Sequence, residues 1–419
     1  MGFVDPYEEA KKQLREAVDL LGYGVEVYEA LAVPERVVQV KVPVRMDDGS
    51  LRVFVGWRVH HNSALGPYKG GVRYHPEATM NETIALSMWM TWKCSLMGLP
   101  YGGGKGAVRV DALRLSRGEY ERVSRAYFSA LSRFVGVDLD IPAPDLFTNP
   151  QVMSWYVDEY SRIMGGQYFG VVTGKPEDLG GLRVRTYATG LGVAIVAREV
   201  ARRVIGGIEG ATVAVQGYGN VGSNAAIFLE EMGAKVVAAS DIYGGIYNSK
   251  GLSTREVKET VDKTGSVINY DKIERKISNE ELLTLDVDIL VPAAVENVIT
   301  ERNAPEVKAK IIVEGANGPT TVEAENILTE KGTVIVPDIL ANAGGVVTSH
   351  IEWVNNRMGG WITEEEARRK LEEKMVNAFK ATWNYWETKL DMKKQNMRTA
   401  AYLIAVDRVV KAMKLRGWL

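Results

Sequence analysis

Three lysines stand where a solvated surface charge has no need to be. Lys69 lies in "GPYKGGVRYHP", Lys93 in "MTWKCSLMG", and Lys105 in "MGLPYGGGKGAV", among four glycines. A cation flanked by glycines serves either a phosphate-cradling loop or a tight loop that brings an amine against a substrate. The phosphate option fails on spacing. A Walker loop needs Gly, four residues, then Gly-Lys-Ser/Thr, but Leu99 holds the first glycine position and Gly106 the hydroxyl position. We therefore read Lys105 as an amine presented to a substrate, with its glycines, and the pair after Lys69, allowing close approach. Downstream, "DIPAPD" ends in Asp145 on a loop stiffened by two prolines. Several such cations converging in a cleft, with one rigidly held acid, would suit a substrate with two carboxylates. Mutual repulsion among the lysines would lower one amine's pKa towards neutrality. The four histidines show no metal-ligand spacing, so no metal is expected. The adjacent His60 and His61 would point to opposite faces of a strand and read as structural.

A second constellation lies in "ATVAVQGYGNVGSNAAIFLEEMGAKVVAASD". Gly217, Gly219 and Gly222 form G-x-G-x-x-G after a strand-like run and before a helical one. The first allows a tight turn, the second lets backbone approach a pyrophosphate, and the third lets strand and helix pack closely. The main chain of Tyr218, Asn220 and Val221 belongs to the same turn, and the helix N-terminus supplies donors for phosphates. Asp241 ends the next strand, placed to accept from a ribose hydroxyl, with Ile242 beside it. No Arg or Lys follows Asp241 immediately to pair with a 2′-phosphate, and its carboxylate would repel one. NAD is favoured; Lys250 a few residues on keeps NADP open.

These residues need elements to hold them. Asp5-Pro6-Tyr7-Glu8 opens a helix whose Ala10, Leu14, Ala17 and Leu21 share a face up to Gly22. Val38 to Met46 and Leu51 to Val59 alternate about "DDGS", predicting a hairpin of half-buried strands. Lys93 sits on a helical segment starting near Asn81. After about residue 180, the apolar runs "ATVAVQ", "KVVAAS", "VDILVP", "KIIVEG" and "TVIVPD" alternate with helical stretches, the mark of a parallel α/β sheet. "GKPEDLGGLRVRTYATG" between the two regions reads as a hinge. Thr363 and Glu366 form a capping box before a helix with Leu371, Met375, Phe379, Trp383 and Trp386 on one face.

At 419 residues the chain exceeds a single core. Its net charge of -2 gives no support to nucleic-acid or anionic-membrane binding. The single Cys94 excludes an internal disulfide framework and suits a reducing compartment. With no signal sequence and no apolar run near the ~20 residues that span a bilayer, a soluble cytoplasmic protein is expected.

"PYKGGVR", "MTWKCSLMGLPYGGGKGAV", "DIPAPD", "GYGNVG" and "ANAGGVVTSHIEW" occur in the order and at spacings resembling those of the hexameric glutamate dehydrogenases, within the Glu/Leu/Phe/Val dehydrogenase family. The likeness runs through most of the chain. It implies an α/β fold of two domains separated by a cleft: an N-terminal mixed-sheet substrate and assembly domain, residues 1–181, and a Rossmann-like NAD(P)-binding domain, residues 182–390. The apolar C-terminal helix, about 391–419, would return to the first domain. By the same resemblance, Lys69 and Ser349 hold the substrate's side-chain carboxylate and Lys93 its α-carboxylate. Met90 stands where some relatives carry glutamine near that carboxylate. Lys105 is the catalytic lysine and Asp145 the proton-transferring acid. Asn317, Asn342 and Thr189 lie near the nicotinamide. The implied reaction converts glutamate reversibly to 2-oxoglutarate and ammonia in a homohexamer.

Two alternatives bear weighing. Relatives acting on branched or aromatic amino acids carry an apolar residue where Lys69 stands, and a buried cation without a carboxylate partner would be costly for them. A dinucleotide-binding sensor without turnover would have lost Lys105 or Asp145, and both are present.

Overall fold

The computed structural model describes residues 5–360 and 362–419. The chain forms two compact units. Unit 1 comprises Met1–Arg183, Thr348–Glu364 and Tyr402–Leu419; unit 2 comprises Val184–Val347 and Glu365–Ala401.

Unit 1 opens with α1 (Pro6–Leu20), where Asp5 caps by accepting from Tyr7 N at 2.9 Å and Ala10, Leu14, Ala17 and Val18 are buried. After α2 (Val25–Ala32) comes the expected hairpin, β1 (Arg36–Arg45) and β2 (Leu51–Asn62), antiparallel with Arg45 opposite Leu51. Then follow β3 (Tyr68–Tyr74), α3 (Met80–Leu96), β4 (Gly102–Val108), α4 (Arg117–Leu131), β5 (Asp140–Pro144) and α5 (Pro150–Met164). The five strands make one mixed sheet in the order β1-β2-β4-β3-β5. Helices α4 and α5 cover one face, their Tyr127 and Tyr156 sharing a core with Val42, Val72, Tyr74 and Val108 of the sheet, and α3 packs on β4, β2 and β3. The two-sided cover corrects the half-buried expectation for the second strand: from Gly56 onward β2 is buried on both faces, Arg58 and His60 included.

Two stretches expected as loops are strands. "GGGKGAV" is β4, at the centre of the sheet, and "DIPAP" is β5, parallel to β3 at the edge. An edge strand can carry Pro142 and Pro144, because on its open side an N–H is dispensable. In the last part of the chain, the Ser95 hydroxyl donates to Ala405 O at 2.7 Å, and Arg408 donates to the carbonyls of Ser95 and Leu96.

Unit 2 contains α6 (Ala188–Val204), β6 (Thr212–Gln216), α7 (Asn220–Glu231), β7 (Lys235–Asp241), β8 (Gly244–Tyr247), α8 (Thr254–Thr264), β9 (Arg275–Ile277), α9 (Asn279–Leu283), β10 (Ile289–Pro292), β11 (Ile311–Val313), α10 (Val322–Glu330), β12 (Val334–Val336) and α11 (Asp338–Ala341). Helix α12 (Gly344–Met358) continues into unit 1, and α13 (Glu364–Lys389) and α14 (Met397–Leu415) complete the chain. The sheet order is β12-β11-β10-β6-β7-β8-β9. The five apolar runs named above are its five parallel strands, β6, β7, β10, β11 and β12. The antiparallel β8 and β9 are short and carry no such run. Strand β6 has β7 on one side and β10 on the other, so the glycine turn after it sits where the winding of the sheet reverses, the crevice in which open α/β sheets take ligands. On α13, Leu371, Met375, Phe379 and Trp386 are buried and Trp383 is half-buried. Among the described residues, no helix is long and apolar enough to cross a membrane.

Candidate active site

In unit 1 the site is built on neighbouring strands. Lys69 on β3 pairs with Gly103 on β4, so Lys105, two residues beyond Gly103, projects from the same face. Lys105 is 6% exposed, and its Nζ lies 2.7 Å from Asp145 Oδ2. Asp145 follows β5 directly, and its side chain fills the space beside Gly71, where an added Cβ would fall 2.6 Å from Asp145 Cβ. Arg73, which sequence reading assigned no role, donates Nε to Asp145 Oδ2 at 3.2 Å and Nη1 to Glu82 at 2.5 Å. Residues 69, 71 and 73 alternate onto one face of β3, and strand periodicity is the signal that could have found Arg73.

The electrostatics follow from burial and these pairs. Burial lowers the Lys105 amine below its ordinary value; Asp145 opposes this, and Arg73 and Arg58 add to it. The repelling cations are thus arginines, in place of the lysines expected. Burial would raise the Asp145 carboxyl, but Lys105 and Arg73 hold it down to about 2.

Lys69 is buried, and its Nζ donates to Ile141 O at 3.1 Å and to Thr173 Oγ1 at 2.8 Å. Lys93 and Met90 stand three residues apart on α3, on one helical face. Met90 Cγ lies 3.4 Å from where a Gly70 Cβ would be, which sets this face beside the Lys69-Gly70 backbone. Burial pushes the Cys94 thiol up to about 12 while Lys69 and Lys93 both pull it down, so both ammonium groups lie within electrostatic reach of it. Ser349 is buried on α12.

The glycines around Lys105 serve the protein itself, a correction to the ligand-approach reading. A Cβ at Gly102 would fall 1.7 Å from Asn62 O, and one at Gly103 2.0 Å from Ser87 O on α3. At Gly104 and Gly106 it would meet the Arg58 guanidinium at 3.1 and 3.2 Å. Arg58 reaches from β2 to Asp140 on β5, with bonds of 2.6 and 2.5 Å, and donates to the carbonyls of Gly70 and Gly71 on the way. His60 Nε2 also contacts Asp140 at 2.8 Å, and His61 sits between Thr91 and Leu31 O, with burial lowering its pKa to about 4. Both histidines are structural.

In unit 2 the glycine turn has the shape a pyrophosphate needs. Gly217 has φ +87°, with an added Cβ 2.7 Å from Ala294. Gly222 lies so close to Gly217 that a Cβ would fall 1.8 Å from its carbonyl oxygen. At Gly219, the N-cap of α7, a Cβ would meet nothing within 4 Å, and no side chain caps the helix. The open, uncapped N-terminus fits a dinucleotide phosphate. Tyr218 is only 3% exposed and donates its hydroxyl to Thr254 O, so it offers a ligand main chain and no side chain. Asn220 donates to Thr186 O, and Val221 is half-buried. Asp241 accepts from Tyr243 N on Oδ1, and from Ser266 Oγ and Val267 N, both at 2.7 Å, on Oδ2; Ile242 beside it is 87% exposed. Asn342 Nδ2 donates to Asn317 Oδ1 at 2.8 Å, joining those two residues. Thr189 lies in the first turn of α6, with Oγ1 2.9 Å from the position of a Gly345 Cβ.

Comparison with known proteins agrees with this geometry. Residues 34–162 match the Glu/Leu/Phe/Val dehydrogenase dimerisation domain, and residues 180–417 the Glutamate/Leucine/Phenylalanine/Valine dehydrogenase domain. The chain is 63% identical to a glutamate dehydrogenase of Aeropyrum pernix, over 99% of each chain. It is 56% identical to an NADP-specific glutamate dehydrogenase of Saccharolobus shibatae, over 97% of this chain and 96% of that one. It is 49% identical to an NAD-specific one of Staphylococcus aureus, with the same coverage. The hetero-hexameric glutamate dehydrogenase of Thermus thermophilus, solved with Leu bound, superposes with a TM-score of 0.91 at 38% identity, covering 98% of this chain and 97% of that one. With glycine turn, lysine-bearing strands and domain matches in agreement, the chain belongs to the Glutamate/Leucine/Phenylalanine/Valine dehydrogenase family.

Proposed function

We propose that this protein is a glutamate dehydrogenase, converting L-glutamate reversibly to 2-oxoglutarate and ammonia with a nicotinamide dinucleotide. The observation that carries the proposal is the 2.7 Å pair of Lys105 and Asp145, on the strand face that also bears the buried Lys69. Lys69 and Ser349 receive the side-chain carboxylate and Lys93 the α-carboxylate, with Met90 beside it. A second carboxylate on the substrate gives a buried ammonium the counter-charge that a leucine side chain could not.

A bound nicotinamide would supply the acceptor for the hydride lost from the substrate's Cα. Lys105, with its amine pKa lowered by burial, takes a proton from the water that attacks that carbon. Asp145, an anion bonded to Lys105, carries protons to and from the departing nitrogen. Gly217, Gly219 and Gly222, with the main chain of Tyr218, Asn220 and Val221, would hold the pyrophosphate, Asp241 and Ile242 the adenosine half, and Asn317, Asn342 and Thr189 the nicotinamide end. NAD is the favoured cofactor, because a carboxylate at position 241 disfavours a 2′-phosphate. We further propose a cytoplasmic homohexamer.

Initial rates followed by reduced-nicotinamide absorbance, with glutamate or leucine and with NAD or NADP, test the proposal. Glutamate is expected to exceed leucine in kcat/KM by about 10²-fold or more, the discrimination of a site built around a polar substrate group. A preference for leucine overturns the dicarboxylate assignment, and a higher kcat/KM with NADP overturns the role given to Asp241.

A further inference from the structure

The loop that holds Lys69 is itself held by a buried ion pair. Lys175 and Glu352 are both fully buried, with Nζ 2.5 Å from Oε1. Glu352, on α12, also accepts from Gly174 N at 2.9 Å and from Lys175 N at 3.4 Å, while Lys175 Nζ donates to Val172 O at 2.9 Å. The opposite side of the loop is fixed to β5. Thr173 N donates to Pro142 O at 3.0 Å, and Gly174, at φ +81°, is pressed so close that a Cβ would fall 2.5 Å from Pro144 Cδ. Between these two attachments lies Thr173, whose hydroxyl accepts from Lys69 Nζ at 2.8 Å. Ser349 precedes Glu352 by three residues on the same helix, so one rigid element carries both the pair's acid and the second residue assigned to the side-chain carboxylate.

An ion pair taken wholly out of water is weak evidence for stability, because apolar residues of similar volume often serve as well or better. What it does supply is fixed geometry. We propose that the Lys175–Glu352 pair is a positioning device for the subsite of the substrate's side-chain carboxylate: it locks residues 172–175 between α12 and β5, so that Thr173 fixes the Lys69 ammonium where a second carboxylate can meet it. Lys175 and Glu352 thereby set the preference for a dicarboxylate without contacting it. The inference rests on the assignment of Lys69 to that carboxylate.

The test compares glutamate with L-norvaline, which has the same carbon chain without the second carboxylate. In the double variant Lys175→Met/Glu352→Gln, KM for glutamate should rise at least tenfold with kcat within about threefold of wild type, while kcat/KM for norvaline is unchanged. Should that protein not fold, Glu352→Asp carries the test: it keeps the charge, but its shorter side chain cannot span both Gly174 N and Lys175 Nζ, and the same signature is expected. Equal losses on both substrates, or an unchanged glutamate-to-norvaline ratio, overturn the inference. Lys69→Leu separates the two levels. If it collapses the ratio and the pair variants do not, the positioning role alone fails; if it leaves the ratio intact, the Lys69 assignment fails and the inference with it.

Discussion

Lys105 and Asp145 are a mutually dependent pair. The acid keeps the buried amine charged more readily than burial alone would allow, and the amine, with Arg73, keeps the acid ionised. Lys105→Met or Asp145→Asn should each lower kcat for glutamate oxidation by about 10²–10⁴-fold, the usual worth of a positioned proton-transfer group, with the fold retained by circular dichroism. Because a base must be unprotonated, kcat/KM should rise with pH and level off below the ordinary lysine range, and Lys105→Arg should remove that step. A residual rate near wild type in either variant would refute the assignment. The chemistry at this scale was partly legible in the sequence. The lysines and the acid stood out by context, whereas Arg73 and Thr173 did not, because an arginine in a strand or a threonine in a loop is ordinary until its neighbours in space are known.

The same contrast appears in the elements. Five parallel strands could be read from continuous Val/Ile runs, since strands covered on both faces have no polar side. Strands β4 and β5 could not, because glycine and proline are poor strand formers by propensity. Their placement is tertiary: β4 must let α3 and the Arg58 guanidinium lie against its backbone, and β5 is an edge. Two alanine substitutions should separate the two uses of glycine. Gly103→Ala places a methyl 2.0 Å from Ser87 O and should destabilise the protein by about 1–3 kcal/mol or more, read as a lower urea midpoint. Gly219→Ala meets nothing within 4 Å, so stability should hold while KM for the dinucleotide rises severalfold. Reversed outcomes would contradict the packing described for both glycines.

Across the whole molecule, the sequence revealed a change of character near residue 180 but gave no hint of the buried charge in unit 2. There Arg398 bonds Glu314, Glu325 and Asp338 together, and Asp338 also accepts from Gly318 N next to Asn317. Burial raises the Glu314 carboxyl to about 7 against the pull of Arg398. A carboxyl whose pKa is higher folded than unfolded favours the fold when protonated, and loses that contribution as pH climbs from the unfolded value, 4.5, through about 7. The wild type should therefore lose more stability between pH 5 and pH 8 than Glu314→Gln does; identical urea-midpoint changes in the two proteins would refute this. Such long-range dependence also governs the strand that bears Lys105. The guanidinium of Arg58 lies against positions 104 and 106, and its carboxylate partner comes from position 140. A Cβ at position 104 would press equally on Arg58, Tyr68 and Asp140, and one at 106 first on the Tyr127 hydroxyl. Losing the arginine in turn strands a buried aspartate, so changes at positions 58, 104, 106 and 140 are expected to be non-additive, each constraining which replacements the others can accept.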